Sequence, residues 1–255
     1  MNLNSSRKAV VVIACALAVV ACARAASAAE TVKIQNVSTK YDLEVRIDAC
    51  GGAGQDGDAN RCSGPARVSV FRKGSKTPMQ ILRLPNLELY KDTAAFSPET
   101  SAKPRVIYAE EYSFVFDDFN FDGREDLAVC NGREAGYGGP SYTIFLFDRR
   151  ADKFVENRRL SRLAEGQYLG LFFPDAKGRT LTAYSKSGCC YHETAVFKVV
   201  GDAPVLVEKI IEDATSEGGA PEGYVLVTTK RKVGGRWVVT KKKQKLEADA
   251  PDARN

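Results

Sequence analysis

Thr194-Ala-Val-Phe-Lys-Val-Val200, Gly201-Asp202 and Val205-Leu-Val207 follow one another in the second half of this 255-residue chain. β-Branched and other apolar residues dominate the two outer stretches, and the Gly-Asp dipeptide between them is typical of a tight turn. The pattern predicts two antiparallel strands joined by a β-hairpin.

The same pattern recurs at three other places. Residues 67–71 and 79–84 flank 73–78, residues 142–147 and 153–155 flank 148–152, and residues 224–228 and 236–239 flank Gly234-Gly235. Four hairpins without a long amphipathic helix predict an antiparallel, all-β protein. The best helical pattern is short and covers residues 155–163, whereas residues 42–67 and 91–104 have the composition of loops.

A weak internal repeat refines this prediction. Residues 114–129 and 171–184 each suggest a strand, a turn and a strand before a further hairpin, and Gly123-Arg124 and Gly178-Arg179 lie 55 positions apart. That spacing is typical of one blade of a repeated β structure. We therefore expect a mainly β fold in which antiparallel hairpin repeats form a propeller-like or sandwich-like sheet assembly.

The first 29 residues have the layout of a secretory signal peptide. Arg7 and Lys8 precede an apolar run at 9–21, and small residues follow at 25–29. Val19-Val-Ala-Cys22 also matches a lipoprotein signal ending before Cys22, which would make that residue a lipid anchor. Both alternatives predict an exported protein, in the periplasm or on the outer membrane as a lipoprotein.

Cleavage near residue 29 changes the net charge and sets the start of the exported part. The formal net charge of +5 falls to +2 after residue 29, with 34 basic and 32 acidic residues, so the balance predicts no nucleic-acid partner. We divide the exported part into an N-terminal β region at 30–105, a second β domain at 106–241 and a charged, flexible tail at 242–255.

Export places five cysteines in an oxidising compartment, where they are expected to form disulfides. Cys50 and Cys62 enclose a polar loop that a disulfide would close. Cys189 and Cys190 could bond to each other, or one of them could bond to Cys130. Because five is odd, one thiol stays free in every scheme.

The strongest chemical signal is Asp118-Phe-Asn-Phe-Asp-Gly-Arg-Glu-Asp126. Asp118, Asn120, Asp122 and Asp126 supply oxygen atoms at positions 1, 3, 5 and 9, and the Arg124 carbonyl could supply position 7. Gly123 permits the sharp bend that such a loop needs, and hard cations prefer oxygen ligands. The pattern predicts a Ca²⁺ loop between two strands; the alternative is an acidic turn without an ion.

Catalysis is not expected. The chain has a single histidine, His192, and no nucleophile elbow, phosphate-binding loop or dinucleotide fingerprint. A cysteine held in a disulfide cannot act as a nucleophile, so Cys190 beside His192 does not indicate a catalytic dyad.

The acidic segment resembles the calcium loops of FG-GAP and VCBS-type β repeats. A longer stretch, about 108–207, is similar to a family of exported, calcium-binding, lysozyme-inhibitor-like bacterial immunity proteins, through 115–123, 138–148 and 187–192. The resemblance implies a β fold, a bound Ca²⁺ and a loop that blocks the cleft of a lysozyme-like peptidoglycan hydrolase.

Two loops could make that contact. Ser187, Gly188 and Tyr191 match the Ser-Gly-x-x-Tyr pattern of bacterial lysozyme inhibitors, and the glycine-rich stretch 132–142 adds Tyr137 and Tyr142 as aromatic contacts. The expected function is a periplasmic inhibitor or immunity protein. The alternative is a calcium-stiffened envelope scaffold or adhesion module without an enzyme target.

Overall fold

The computed structural model describes residues 29–48, 60–99 and 111–246. In these residues the chain forms three β-sheets and one short α-helix, α1 (Arg158–Ser161). The predicted leader lies outside the described residues except for Ala29, and so do Cys22 and Cys50. None of the described helices is long and apolar enough to cross a bilayer.

The first sheet contains four antiparallel strands in sequence order: β1 (Glu30–Ile34), β2 (Tyr41–Ile47), β3 (Arg61–Arg72) and β4 (Gln80–Tyr90). The middle sheet contains five: β5 (Ala95–Phe96), β6 (Phe114–Asp117), β7 (Asp126–Gly132), β8 (Ser141–Asp148) and β9 (Lys153–Glu156). In the middle sheet β5 runs parallel to β6 and the other neighbours are antiparallel.

The third sheet contains six antiparallel strands: β10 (Phe173–Asp175), β11 (Thr180–Ser187), β12 (Tyr191–Val200), β13 (Ala203–Asp213), β14 (Tyr224–Val233) and β15 (Arg236–Lys245). Their register puts the β11–β12 turn at one end of the sheet. The β12–β13 and β14–β15 turns lie at the opposite end.

The mainly β prediction is confirmed, as are all four hairpins, which correspond to β3–β4, β8–β9, β12–β13 and β14–β15. None of the three sheets closes into a barrel in the described part of the chain. The segment at 42–67 is not all loop, because β2 and the start of β3 lie within it. The predicted tail also begins too early, since residues 242–245 pair with β14 and only 247–255 lie outside the described residues.

The middle sheet buries both of its faces. Along β6, Phe114 and Phe116 pack into a cluster with side chains of the first sheet, whereas Val115 packs into a second cluster with side chains of the third sheet. β7 and β8 alternate in the same way, which explains their nearly continuous apolar sequences. The three sheets therefore pack as layers with the middle sheet between the other two.

The short helix α1 closes one side of the second cluster. The Asn157 side chain accepts hydrogen bonds from the amides of Arg159 and Leu160, as expected of a helix N-cap. Leu160 is fully buried, and Leu163 in the following 3-10 turn packs in the same cluster. Thus the predicted helical pattern at 155–163 is present but shorter than predicted.

The cysteines follow the prediction in part. Cys189 and Cys190 form a disulfide between adjacent residues. Cys62 is also disulfide-bonded and buried, while its predicted partner Cys50 lies outside the described residues. Cys130 is a buried free thiol, so its pairing with Cys189 or Cys190 does not occur.

Candidate functional site

The acidic loop joins β6 to β7 and is organised by its own side chains. The Asp118 carboxylate accepts hydrogen bonds from the amides of Asp122, at 3.0 Å, and Gly123, at 2.8 Å. Gly123 has φ of +84°, a left-handed conformation that is readily available only to glycine. The Asn120 side-chain oxygen also accepts from the Asp122 amide, at 3.2 Å. Asp118 and Asn120 therefore direct oxygen atoms toward the same point of the loop.

Asp126 ends the loop and is fully buried. Its two carboxyl oxygens accept hydrogen bonds from the amides of Phe119, at 2.9 Å, and Phe147, at 2.8 Å. Burial raises the pKa of Asp126 to about 8, and the charges of Asp118 and Asp122 act in the same direction. Asp126 thus connects the loop to β8 in the core.

The acidic loop also contacts the first and third sheets. The buried carboxyl group of Glu125 accepts hydrogen bonds from the hydroxyls of Ser38, at 2.7 Å, and Ser97, at 3.3 Å. Burial raises the pKa of Glu125 as well. At the other side, the Asn120 amide donates to Asp202 in the β12–β13 turn, at 3.1 Å. Sequence reasoning identified neither Glu125 nor Asp202, because these contacts join distant segments.

The side chains of the predicted ligand set accept hydrogen bonds from backbone amides of the chain. Asp118, Asn120 and Asp122 direct oxygens into one loop, and each oxygen that accepts an amide hydrogen bond retains a second lone pair. Asp126 differs from these three residues because it is fully buried in the core. No group of three or more His, Cys, Asp or Glu side chains able to hold a metal ion occurs in residues 29–48, 60–99 and 111–246. The prediction that Asp126 and the Arg124 carbonyl complete a Ca²⁺ site therefore stays a prediction.

The second predicted site is the turn between β11 and β12. Ser187 and Tyr191 are opposite each other at the ends of these strands, and the Cys189–Cys190 disulfide lies within the turn. Ser187 and Gly188 are exposed, and Tyr191 is partly exposed. We call residues 187–191 the tip; it projects from the end of the third sheet opposite the β14–β15 turn.

The loop between β7 and β8 meets the tip. The hydroxyl of Tyr137 accepts a hydrogen bond from the Gly188 amide at 2.6 Å, and the Lys186 ammonium lies 5.3 Å from the centre of the Tyr137 ring. Tyr137 itself is 66% exposed. Two sequence-predicted contact regions thus form one continuous surface.

Glycine is required where this loop approaches a neighbouring segment. A Cβ on Gly136 would lie 2.8 Å from the Gln167 carbonyl oxygen, and the Gly136 amide donates to the Tyr168 carbonyl at 2.6 Å. The close backbone contact positions Tyr137, which follows directly with φ of +58°.

Tyr142 does not belong to this surface, contrary to the prediction. It is only 3% exposed, and its hydroxyl donates to the Tyr112 carbonyl at 2.9 Å. Tyr142 is the second residue of β8, and its side chain packs into the cluster between the middle and third sheets. We therefore assign it to the core.

Comparison with known proteins gives a similar fold. No family profile matches the chain, and no curated protein matches it either. A solved structure, described as that of a Xanthomonas type IV secretion system related protein, is similar with a TM-score of 0.63. The two chains are 24% identical, and the match covers 83% of this chain and 92% of the other. At this identity the likeness indicates a shared fold.

Proposed function

We propose that this protein is a periplasmic inhibitor or immunity protein that inserts the tip and Tyr137 into the active-site cleft of a lysozyme-like peptidoglycan hydrolase. The observation that carries the proposal is the hydrogen bond between Tyr137 and Gly188, which joins two loops into one exposed surface. The Ser-Gly-x-x-Tyr pattern of the tip, at Ser187, Gly188 and Tyr191, supports the same target.

The chemistry of this surface suits a glycosidase cleft. Most glycosidases use two carboxyl groups, one of which is protonated to act as the general acid. The Ser187 hydroxyl can donate to a carboxylate or accept from a carboxylic acid, and the nearby Lys186 ammonium adds a favourable charge. The rings of Tyr137 and Tyr191 offer flat surfaces of the kind that sugar subsites accommodate. Since Cys189 and Cys190 are bonded, the turn has less conformational freedom to lose on binding.

Calcium is part of the proposal as a stabilising ion. Asp118, Asn120, Asp122 and Asp126 would hold it through side-chain oxygens, and Arg124 through its carbonyl. When bound, Ca²⁺ would offset the repulsion among the loop carboxylates. β7 leads directly from this loop to the loop that carries Tyr137, so order at one end of the strand supports order at the other.

The envelope location and the layer arrangement complete the proposal. The secretion-system description of the structurally similar protein, together with the signal-like first 29 residues, supports export to the periplasm, with lipidation of Cys22 as the anchored alternative. We describe the packing of the three sheets as sandwich-like.

Enzyme inhibition tests the functional proposal. The purified protein is titrated into lysozyme-like hydrolases while peptidoglycan turnover is followed. We expect inhibition at a one-to-one ratio, and a loss of at least tenfold in affinity for Tyr191→Ala and for Tyr137→Ala. Trp237→Ala is the matched control, because it removes an exposed aromatic side chain at the opposite end of the third sheet. Absence of inhibition across a panel of such enzymes, with folded protein, would favour the scaffold or adhesion alternative.

A further inference from the structure

The last hairpin has a very uneven charge. β14, β15 and their turn contain eight basic residues and no acidic residue: Lys230, Arg231, Lys232, Arg236, Lys241, Lys242, Lys243 and Lys245. The rest of the chain after residue 29 has 26 basic and 32 acidic residues. Only Arg231 of the eight forms an ion pair within the described residues, with Glu208 at 2.6 Å. The protein therefore carries its excess positive charge at one edge.

The same hairpin exposes apolar side chains near its turn. Val233, Trp237, Val238 and Val239 are between 46% and 56% exposed. Every residue of β15 is exposed, because β15 is the edge strand of the third sheet and no other described element covers it. These four side chains lie on two adjacent strands close to Gly234, with Val233 and Val238 on one face of the hairpin and Trp237 and Val239 on the other. We call this part of the hairpin the apolar end.

Basic and apolar residues alternate across this end. Each cross-strand pair next to the turn joins one of each kind: Val233 with Arg236, Lys232 with Trp237, Arg231 with Val238 and Lys230 with Val239. Paired residues share a face of the sheet, and successive pairs lie on opposite faces. Both faces of the hairpin end therefore present apolar groups beside long cationic side chains.

We propose that this hairpin docks on the surface of a bilayer containing anionic phospholipid. The apolar end would enter the headgroup region, where Trp rings are favoured. Lys230 and Lys232 would extend their charged ends to the lipid phosphates. Lys241, Lys243 and Lys245 are on the same face as Trp237 and continue the positive charge along the stem. The hairpin thus combines positive charge, which complements anionic headgroups, with apolar side chains that can enter the headgroup region.

The exposed apolar residues distinguish this hairpin from a surface that is merely basic. Lysines on an edge strand prevent pairing between molecules, but that purpose requires no exposed Trp or Val. A nucleic acid or another soluble polyanion would be bound by the cations alone, without aliphatic side chains on both faces of the hairpin. An interfacial membrane site uses both components.

The single tryptophan of the chain makes the test direct, because intrinsic Trp fluorescence reports only on Trp237. The full-length purified protein is mixed with vesicles of phosphatidylcholine containing 30% phosphatidylglycerol, and with vesicles of phosphatidylcholine alone. We expect a blue-shifted emission and co-sedimentation with the anionic vesicles only, with both weakened by added salt. Attachment through a lipid on Cys22 would instead give equal binding to the two kinds of vesicle.

Variants separate this docking from general attraction between charges. Replacing Lys230, Lys232 and Arg236 together by Gln should weaken partitioning on the order of 100-fold, at about fivefold per cation close to the bilayer surface. Trp237→Ala should also weaken it, whereas Tyr191→Ala at the other end of the sheet should not. Equal binding to both vesicles, or unchanged binding of the triple variant, would overturn the proposal. A DNA duplex that binds as tightly as the anionic vesicles, with no loss in Trp237→Ala, would overturn it in favour of a polyanion site.

Discussion

Replacement of Asp126 by Ala tests how the acidic loop is attached to the core. The substitution leaves the amides of Phe119 and Phe147 without their acceptors, 2.9 and 2.8 Å away in the native protein. A buried amide that loses its partner costs about 1–3 kcal/mol, so the two together cost about 2–6 kcal/mol. That is a large part of the roughly 5–15 kcal/mol by which domains are stable. Asp126→Asn keeps one acceptor and should lose about half as much.

Asp118→Ala is the matched control, because Asp118 also accepts two backbone amides but in a loop open to water. Water can replace its bonds, so we expect a loss of about 1 kcal/mol, similar to that of a helix cap. Both variants are unfolded by urea in the presence of a chelator and followed by far-UV circular dichroism. A loss for Asp118→Ala as large as that for Asp126→Ala would refute the argument that burial determines the difference.

Three further outcomes are expected. Burial raises the pKa of Cys130 to about 12, so iodoacetamide at pH 8 should modify this thiol only after unfolding. The free energy of unfolding should also fall as pH rises from about 9 to 12, because the folded state retains a proton that the unfolded state loses. Mass spectrometry and urea titrations check both parts. Gly136→Ala should cost about 1–3 kcal/mol in a urea titration, because its Cβ would overlap the Gln167 carbonyl. Tyr137→Phe should leave stability nearly unchanged but accelerate hydrogen exchange of the Gly188 amide.

Calcium should raise the melting temperature, and a chelator should remove the gain. Asp122→Ala should abolish the shift while leaving the melting temperature in chelator close to that of the native protein, because Asp122 is exposed. Differential scanning calorimetry with and without Ca²⁺ measures both values. An unchanged melting temperature on adding Ca²⁺ would remove the ion from the proposed function.

The hairpins were predictable because each combines β-branched residues with a recognisable turn. β2 lies in a stretch with the composition of a loop although Leu43-Glu-Val-Arg-Ile47 alternates with period two, because the Gly-, Asp- and Asn-rich residues that follow it dominate that composition. The end of β15 was not predictable for a different reason. Its Lys residues pair with β14 on an open edge, so they show no apolar alternation.

The candidate site was predictable only where it is local. The spacing from Asp118 to Asp126 identified the acidic loop, because all its positions lie within nine residues. Tyr137 and Tyr142 look equivalent in a glycine-rich sequence, yet one lies in an exposed turn and the other in a buried strand. The bond from Ser38 to Glu125 spans 87 residues, which no local pattern reveals.

The opposite placement of the tip and the β14–β15 turn gives the molecule a direction. Ten-residue strands at about 3.3 Å per residue separate the two ends by roughly 30 Å. A protein whose apolar end enters a bilayer would therefore hold Ser187 and Tyr191 at the far end of the third sheet, where a hydrolase acting on the cell wall can reach them.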